Sequence, residues 1–242
     1  MYNIFSPSYK RAEICKTHKY LPSIIYVVSK SEAEAYSLIH DKIWVIPDEV
    51  QGNLARVWNY ILDNATGDHI ITIDDDLKYF GRWNCNVEKK LNTEEAHNMI
   101  TEGIQLAIDL NVKYWGLNCI SDKGAYREYT PFAMTSYIGG PFQAHNANPL
   151  RYDEKIFLKE DYDMTLQVLK KYRKNLRLNM YHYVCEQATI KGGCAAYRNV
   201  EVERKQFFLL QKKWGKDIIT RDRKSKRSFD FNPILKVPIK GV

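Results

Sequence analysis

Residues 67–77 read GDHIITIDDDL, a β-branched run that ends in three consecutive carboxylates, Asp74, Asp75 and Asp76. Ile70, Ile71 and Ile73, with Thr72 between them, suffice for one buried strand. Three acids cannot follow that strand into a core, because each desolvated charge costs several kcal/mol unless it is paired or bound to a metal. The strand must therefore deliver them to a surface or a cleft, and in an open α/β sheet ligands bind at the carboxyl ends of the strands. Two readings of the pattern stand at this point. Carboxylates one residue apart suit a hard divalent cation that also holds phosphate oxygens. An acidic turn capping a following helix would look the same.

The chain leading to this stretch alternates strand and helix. Asn3 to Phe5 opens as a strand, and Ala12 to Tyr20 reads as a short helix. Residues 23–29 form a second strand, and Ser29 then caps a helix over SEAEAYSLI. Residues 43–47 form a third strand, ended by Pro47. From Asn53 to Ala65, Leu54, Val57, Trp58, Ile61 and Leu62 share one helical face, and Gly67 stops that helix. Such alternation predicts an α/β fold with a mostly parallel, doubly wound central sheet flanked by helices.

Beyond the aspartates the pattern is less regular. Thr93 to Leu110 is amphipathic, with Thr93 as its cap, and residues 114–118 suit a strand. Residues 120–148 carry no helical period, and TSYIGGPFQAHN at 135–146 reads as a hairpin or loop near a binding site. A helix begins near Glu160 and Asp161, an alternating strand covers 176–187, and Glu201 to Trp214 is a last helix ended by Gly215.

Several residues along this order carry possible chemistry, each beside a plainer role. Pro7, Ser8 and Arg11, after the first strand, can serve a nucleotide or form an ordinary turn. Asp161 is a helix-dipole partner or the base that takes a proton from an attacking hydroxyl. His182, among aromatics, packs in the sheet or completes a two-carboxylate site for a metal such as manganese. Lys191, beside Gly192 and Gly193, closes over a diphosphate or belongs to a plain loop.

A formal charge of +7 permits a polyanionic partner without requiring one. The bases concentrate from Arg204 onward, with RDRKSKR at 221–227 the densest run; such runs are commonly solvated segments. The five cysteines are scattered without a C-x-x-C pair, which suits reduced structural thiols better than a zinc site or a disulfide framework. No apolar run has membrane-spanning length and the N-terminus lacks a signal-like core, so a cytoplasmic protein is expected.

Taken in order, PSYKRAE (7–13), NLARVWN (53–59), IDDDL (73–77), KEDYD (159–163) and FLLQKKWG (208–215) resemble the nucleotide-diphospho-sugar glycosyltransferases of the GT-A fold. Within that fold, IGGPFQAHN and IKGGCAAYRN make the chain most similar to the phage and base-J-related enzymes that glycosylate hydroxymethylated DNA pyrimidines and are associated with ten-eleven-translocation-type dioxygenases. The resemblance implies a GT-A domain over residues 1–215, with a basic segment at 216–242 packing on or extending it. It implies a metal-dependent glycosyltransferase, inverting, that moves a hexosyl or N-acetylhexosaminyl group from a nucleotide sugar, most naturally a UDP-sugar.

In that comparison Asp74 and Asp76 are the DxD acids for Mn2+ or Mg2+, with His182 an approximate match to a C-terminal metal histidine. Pro7, Ser8, Arg11, Asn53, Arg56, Asp74, Asp75 and Lys191 would surround the donor. Asp161 would be the catalytic base, supported by Glu160. The acceptor would be 5-hydroxymethylpyrimidine in DNA, and the compartment the host cytoplasm for a phage-encoded chain. Rival readings are a transferase acting on a protein, polysaccharide or lipid-linked acceptor, a nucleotidyltransferase, and a non-catalytic nucleic-acid-binding module. The absence of glycine from SPSYKRAE speaks against a nucleotidyltransferase, and the presence of Asp74, Asp76 and Asp161 together against a binding module.

Overall fold

The computed structural model describes residues 2–84, 86–186, 192–222 and 231–237. Lys191 and most of the basic run at 221–227 lie outside the described residues. The first half of the chain forms β1 (Tyr2–Pro7), β2 (Ile25–Ser29), α1 (Ala33–Ser37), β3 (Ile43–Ile46), α2 (Leu54–Asn64) and β4 (His69–Ile73). After the aspartates come β5 (Leu77–Asn84), β6 (Val87–Lys90), α3 (Thr93–Asp109), β7 (Tyr114–Asn118), β8 (Phe132–Ala133) and β9 (Phe142–Asn146). The chain continues through α4 (Glu160–Tyr172), β10 (Leu176–Cys185), α5 (Val200–Trp214), β11 (Ile219–Arg221) and β12 (Pro233–Leu235).

Ten strands make one sheet in the order β3-β2-β1-β4-β9-β7-β10-β5-β6, with β8 beside β10. Strands β1 to β4 pair in parallel, as do β7 and β10, while β9 and β5 run against their neighbours. The chain steps outward from β1 to β3, then returns to lay β4 on the other side of β1. That reversal opens a crevice at the carboxyl ends of β1 and β4, where an α/β sheet binds ligands.

Period-two alternation assigns side chains to the two faces. Ile4 and Ile71 go to one core with Phe80, Met99, Ile100 and Trp115, under α3. Phe5 and Ile70 go to the other, with Trp58, Ile61 and Val168 from α2 and α4. A third cluster of Ile156, Leu166, Phe207, Leu210 and Ile219 seats α5 and β11 on the outer side of α4.

Three local expectations are corrected. Residues 12–20 are turns and a 3₁₀ segment at Thr17–Lys19 rather than a helix, because the Lys16 and Thr17 amides donate to the Asp75 carbonyl at 2.9 and 3.4 Å. Asn92, not Thr93, caps α3: its side chain accepts from the Glu95 amide at 2.9 Å while Glu95 reaches back to the Asn92 amide at 3.0 Å, a capping box. The stretch 135–146 supplies a strand, β9, at the centre of the sheet. Its residues, FQAHN, alternate apolar and polar, but the polar side is covered too, with Gln143 0% and His145 2% exposed.

Within β9, His145 is 2% exposed and neutral by design of its partners. Asn148 donates to Nδ1 at 3.2 Å, so Nε2 carries the hydrogen and donates to the Tyr152 hydroxyl at 2.9 Å, which in turn donates to Gln143 at 2.7 Å. Burial, with a smaller push from Arg151, drives the imidazole pKa down to about 3. A histidine depressed in the folded state binds its proton in the unfolded chain first, so stability falls as pH drops below the unfolded value of 6.5. One such proton is worth about 1.4 kcal/mol per pH unit. Between pH 7 and pH 5 the wild type should therefore lose roughly 2 kcal/mol more than His145→Gln in urea unfolding. An equal slope in both proteins would assign the effect elsewhere.

Candidate active site

The three aspartates sit in the turn between β4 and β5, and neighbours on several sides hold that turn by its backbone. The Asp74 amide donates to the Pro141 carbonyl at 3.1 Å, and Thr17 Oγ1 donates to the Asp74 carbonyl at 2.6 Å. The Lys16 amide donates to the Asp75 carbonyl at 2.9 Å, and the Glu186 amide to the Asp76 carbonyl at 3.1 Å. Four hydrogen bonds from three separate segments thus fix where the carboxylates point, and this rigidity is what a binding constellation needs.

Strand-like alternation splits the acids. Asp75 turns inward, 3% exposed, where it accepts from Ser8 Oγ and from Arg11 Nη1 at 2.6 Å. Ser8 also shares a 2.7 Å hydrogen bond with Tyr36, so the β1 loop, α1 and the acidic turn form one unit. Arg11 lies 3.7 Å from Asp76 and donates through Nη2 to the Gly192 carbonyl at 3.2 Å. Gly192 holds φ +88°, and a Cβ there would fall 2.7 Å from the Tyr9 carbonyl oxygen, so only glycine lets this segment close on the loop.

Asp74 and Asp76 face the other way, together with Cys185 at the end of β10. One potential ligand atom from each lies within 4.8 Å of the others. Asp76 Oδ1 is buried with no hydrogen-bond partner among the described residues. Burial, then the charges of Asp76 and Asp75, push Asp74 well above the carboxylate range, against the pull of Arg11. Burial and Asp75 likewise raise Asp76 to about 6. Two crowded carboxylates, one with an orphaned oxygen, fit a divalent cation, whose charge would remove the repulsion that raises both.

Asp161 opens α4 and reaches the same crevice. Its Oδ2 accepts from the Tyr137 hydroxyl at 2.5 Å and the Gly140 amide at 3.0 Å, and its Oδ1 from the Tyr162 amide at 2.8 Å. A Cβ on Gly140 would lie 3.4 Å from Oδ2 and 3.6 Å from the Trp58 ring, ordinary contact distances, so the backbone amide and not the missing side chain is what this position supplies. Residues 140–141 thereby tie the two acidic centres together, the Gly140 amide holding Asp161 and the Pro141 carbonyl holding Asp74. Burial raises the Asp161 pKa, opposed by its three donors.

Glu160, 6% exposed, is pushed well above its usual range by burial and then by Asp161, and its Oε2 has no partner among the described residues. Beside it, Lys159 and Glu203 form a buried ion pair at 2.5 Å, and Arg198 joins Glu203 at 3.0 Å. These contacts lock the start of α5 onto the start of α4.

Not every residue expected at the site is gathered there. His182 does not reach the aspartates. It is fully buried on β10, its Nε2 2.7 Å from Glu88 and its ring between Trp83 and Tyr79, packed on Gly81 of β5. A Cβ on Gly81 would fall 2.2 Å from His182 Nε2, so Gly81→Ala should destabilise the protein by roughly 1–3 kcal/mol in urea unfolding. An unchanged midpoint would show that the ring has room to move. Asn53 caps α2 by accepting from the Arg56 amide at 3.3 Å and donates to the Glu154 carbonyl at 2.8 Å. Arg56 donates to the Glu49 carbonyl at 2.6 Å and to Glu154 at 3.4 Å. Both lie at the carboxyl edge of the sheet, occupied by protein partners. Pro7, half-buried, ends β1 at that edge.

Thr17, Tyr137, Cys185 and Arg198 were not singled out from sequence. Tyr137 belongs to the aromatic, glycine-containing stretch expected near a binding site, so a signal for it existed. Cys185 had none.

A family model described as TET-Associated Glycosyltransferase matches residues 2–193. No characterised protein matches by sequence search. Among solved structures the chain is similar to the mannosyltransferase PcManGT of Pyrobaculum calidifontis, solved with GDP-Man and Mn2+, at a TM-score of 0.56 and 13% identity, over 87% of this chain and 64% of that one. It is similar to a mycobacterial protein at a TM-score of 0.52 and 8% identity, over 97% and 83% of the two chains. Residues 1–349 of TarS from S. aureus align at a TM-score of 0.49 and 13% identity, over 87% and 65%. This chain thus spans less than two-thirds of the length of PcManGT and of that TarS fragment. The family model's match over most of the sequence places the chain in the TET-associated glycosyltransferase family, with the GT-A fold it shares with PcManGT.

Proposed function

We propose that this protein is a metal-dependent, inverting glycosyltransferase that moves a hexosyl or N-acetylhexosaminyl group from a UDP-sugar to the hydroxyl of 5-hydroxymethylpyrimidine in DNA, in the cytoplasm of a phage host. The observation that carries the reading is the 140–141 bridge, which sets a hydrogen-bonded carboxylate, Asp161, beside a carboxylate pair suited to a cation. Asp74 and Asp76 would hold Mn2+ or Mg2+. When bound, the ion would neutralise the negative charge that gathers on the departing nucleoside diphosphate.

The chain's own residues supply the rest. Asp161, oriented by Tyr137 and Gly140, takes the proton of the acceptor hydroxyl, and its raised pKa makes it a stronger base than an exposed aspartate. Glu160, its pKa raised by burial and then by the neighbouring Asp161 charge, lies beside the base and supports it. Arg11 sits where a phosphate could share its guanidinium with Asp75. Pro7 and Ser8 border the nucleotide, with Asn53 and Arg56 further along the same edge and Lys191 as an added phosphate contact.

A DNA acceptor suits the charge distribution. Arg204, Lys205, Lys212 and Lys216 are exposed along and just after α5. They offer phosphate contacts whose strength falls with the logarithm of salt. A stacked base would have to be flipped out to meet Asp161. No described helix is long and apolar enough to cross a membrane.

The test is mass spectrometry of nucleosides from hydroxymethylcytosine DNA incubated with protein, Mn2+ and a panel of nucleotide sugars. A hexose or N-acetylhexosamine mass gain, absent with Asp161→Asn, is the expected result. Donor hydrolysis without a gain on DNA would move the acceptor to a protein, polysaccharide or lipid-linked hydroxyl.

A further inference from the structure

We infer that Cys185 is the third protein ligand of the cation held by Asp74 and Asp76, and that its sulfur biases the site toward softer ions such as Co2+ and Zn2+ over Mg2+. This inference rests on the metal-dependent reading above. Three independent features support it. Asp74, Asp76 and Cys185 bring ligand atoms within 4.8 Å of one another. Asp76 is 4% exposed, and its Oδ1 is buried without a partner among the described residues.

The third feature is a break in the sheet. Strand β10 follows β5 in register from Tyr181 opposite Arg82 to Val184 opposite Tyr79, then slips so that Cys185 stands opposite Leu77. A bulge of this kind re-aims the side chains that follow it. Beyond the slip the Cys185 thiol meets the Asp76 carboxyl as a hydrogen-bond partner. The Glu186 amide, bonded to the Asp76 carbonyl at 3.1 Å, holds the strand end in that position. The histidine expected to complete the site is three residues earlier on the strand and bonded to Glu88.

Two carboxylates with one thiol form a mixed donor set. Carboxylate oxygens suit Mg2+ and Mn2+ alike, whereas a thiolate strongly favours the later, softer ions. On binding, the Sγ–H bond breaks, its proton passes to solvent, and the sulfur lone pair forms the metal–sulfur bond, with no change of oxidation state.

The experiment is Co2+ titration of the full chain, with UDP or GDP present, followed by absorption spectroscopy. Wild type should develop a sulfur-to-cobalt charge-transfer band in the near ultraviolet. Cys185→Ser and Cys185→Ala should lose that band while still binding Co2+, and their preference for Co2+ over Mg2+ should fall at least about tenfold. Cobalt-edge X-ray absorption on the wild type gives the same answer without a variant, as one sulfur among light scatterers.

Wild-type binding without a sulfur signature, or a band that persists in Cys185→Ser, overturns the inference and leaves the two-carboxylate site standing. No Co2+ binding, or binding unchanged in Asp76→Ala, overturns the inference and the metal-dependent reading together.

Discussion

Asp161→Asn is expected to lower the rate of sugar transfer by about 10²–10⁴-fold, the range supplied by a positioned general base. Oδ2 accepts from Tyr137 at 2.5 Å and from the Gly140 amide at 3.0 Å. An asparagine that keeps its amide oxygen at that place preserves both bonds and loses a third, because its NH2 replaces the Oδ1 that accepts from the Tyr162 amide at 2.8 Å. What the reaction loses is the basic oxygen. Donor affinity in the presence of Mn2+ should stay within about threefold of wild type, far less than one order of magnitude in binding. Single-turnover transfer and donor titration on the same preparation separate the two effects. A parallel loss of donor affinity would mean that Asp161 holds the sugar rather than deprotonating the acceptor.

Asp76→Ala should abolish metal-dependent donor turnover, because it removes the deepest acid of the cluster. Its effect on stability has the opposite sign. Asp76 Oδ1 is buried with no partner among the described residues, and Asp75 repels its charge. Replacing Asp76 should therefore raise the metal-free stability by roughly 1–3 kcal/mol, the cost commonly attached to an unsatisfied buried polar group. Thermal unfolding in the presence of a chelator measures that gain, and adding Mn2+ should then stabilise the wild type alone. Equal donor affinity with and without Mn2+ in the wild type would remove the metal from the reaction.

These two carboxylates show how much of the site was legible from residues. The isoleucine run that ends in acids has one physical solution, a buried strand opening at the edge of the sheet, and β4 adopts it. Glu160 and Asp161 at the head of an amphipathic run mark a helix start, and α4 begins at Glu160. The alternation that turns Asp75 inward and leaves Asp74 and Asp76 together follows from the strand period. The stretch with Tyr137 and Gly140 was marked as binding-site-like by its aromatics and glycines, although its strand is only the five residues Phe142–Asn146 at the end of it. The failures were equally specific. Residues 12–20 had helical composition, but their amides were recruited by the acidic turn.

By itself, then, the sequence determined the α/β alternation, the edge at which the acids emerge, and the helix that presents Asp161, because each depends on a local period or on the cost of burying charge. Tertiary structure alone decided which partners those acids meet. The 140–141 bridge joins Asp74 to Asp161, and Arg11 closes on Asp75 and on Gly192. A one-residue slip in β10 brings Cys185 to Asp76, whereas His182 is held by Glu88. Each of these contacts spans dozens of residues or more of chain and turns on a register shift or a close backbone approach, neither of which leaves a mark on any single window of sequence.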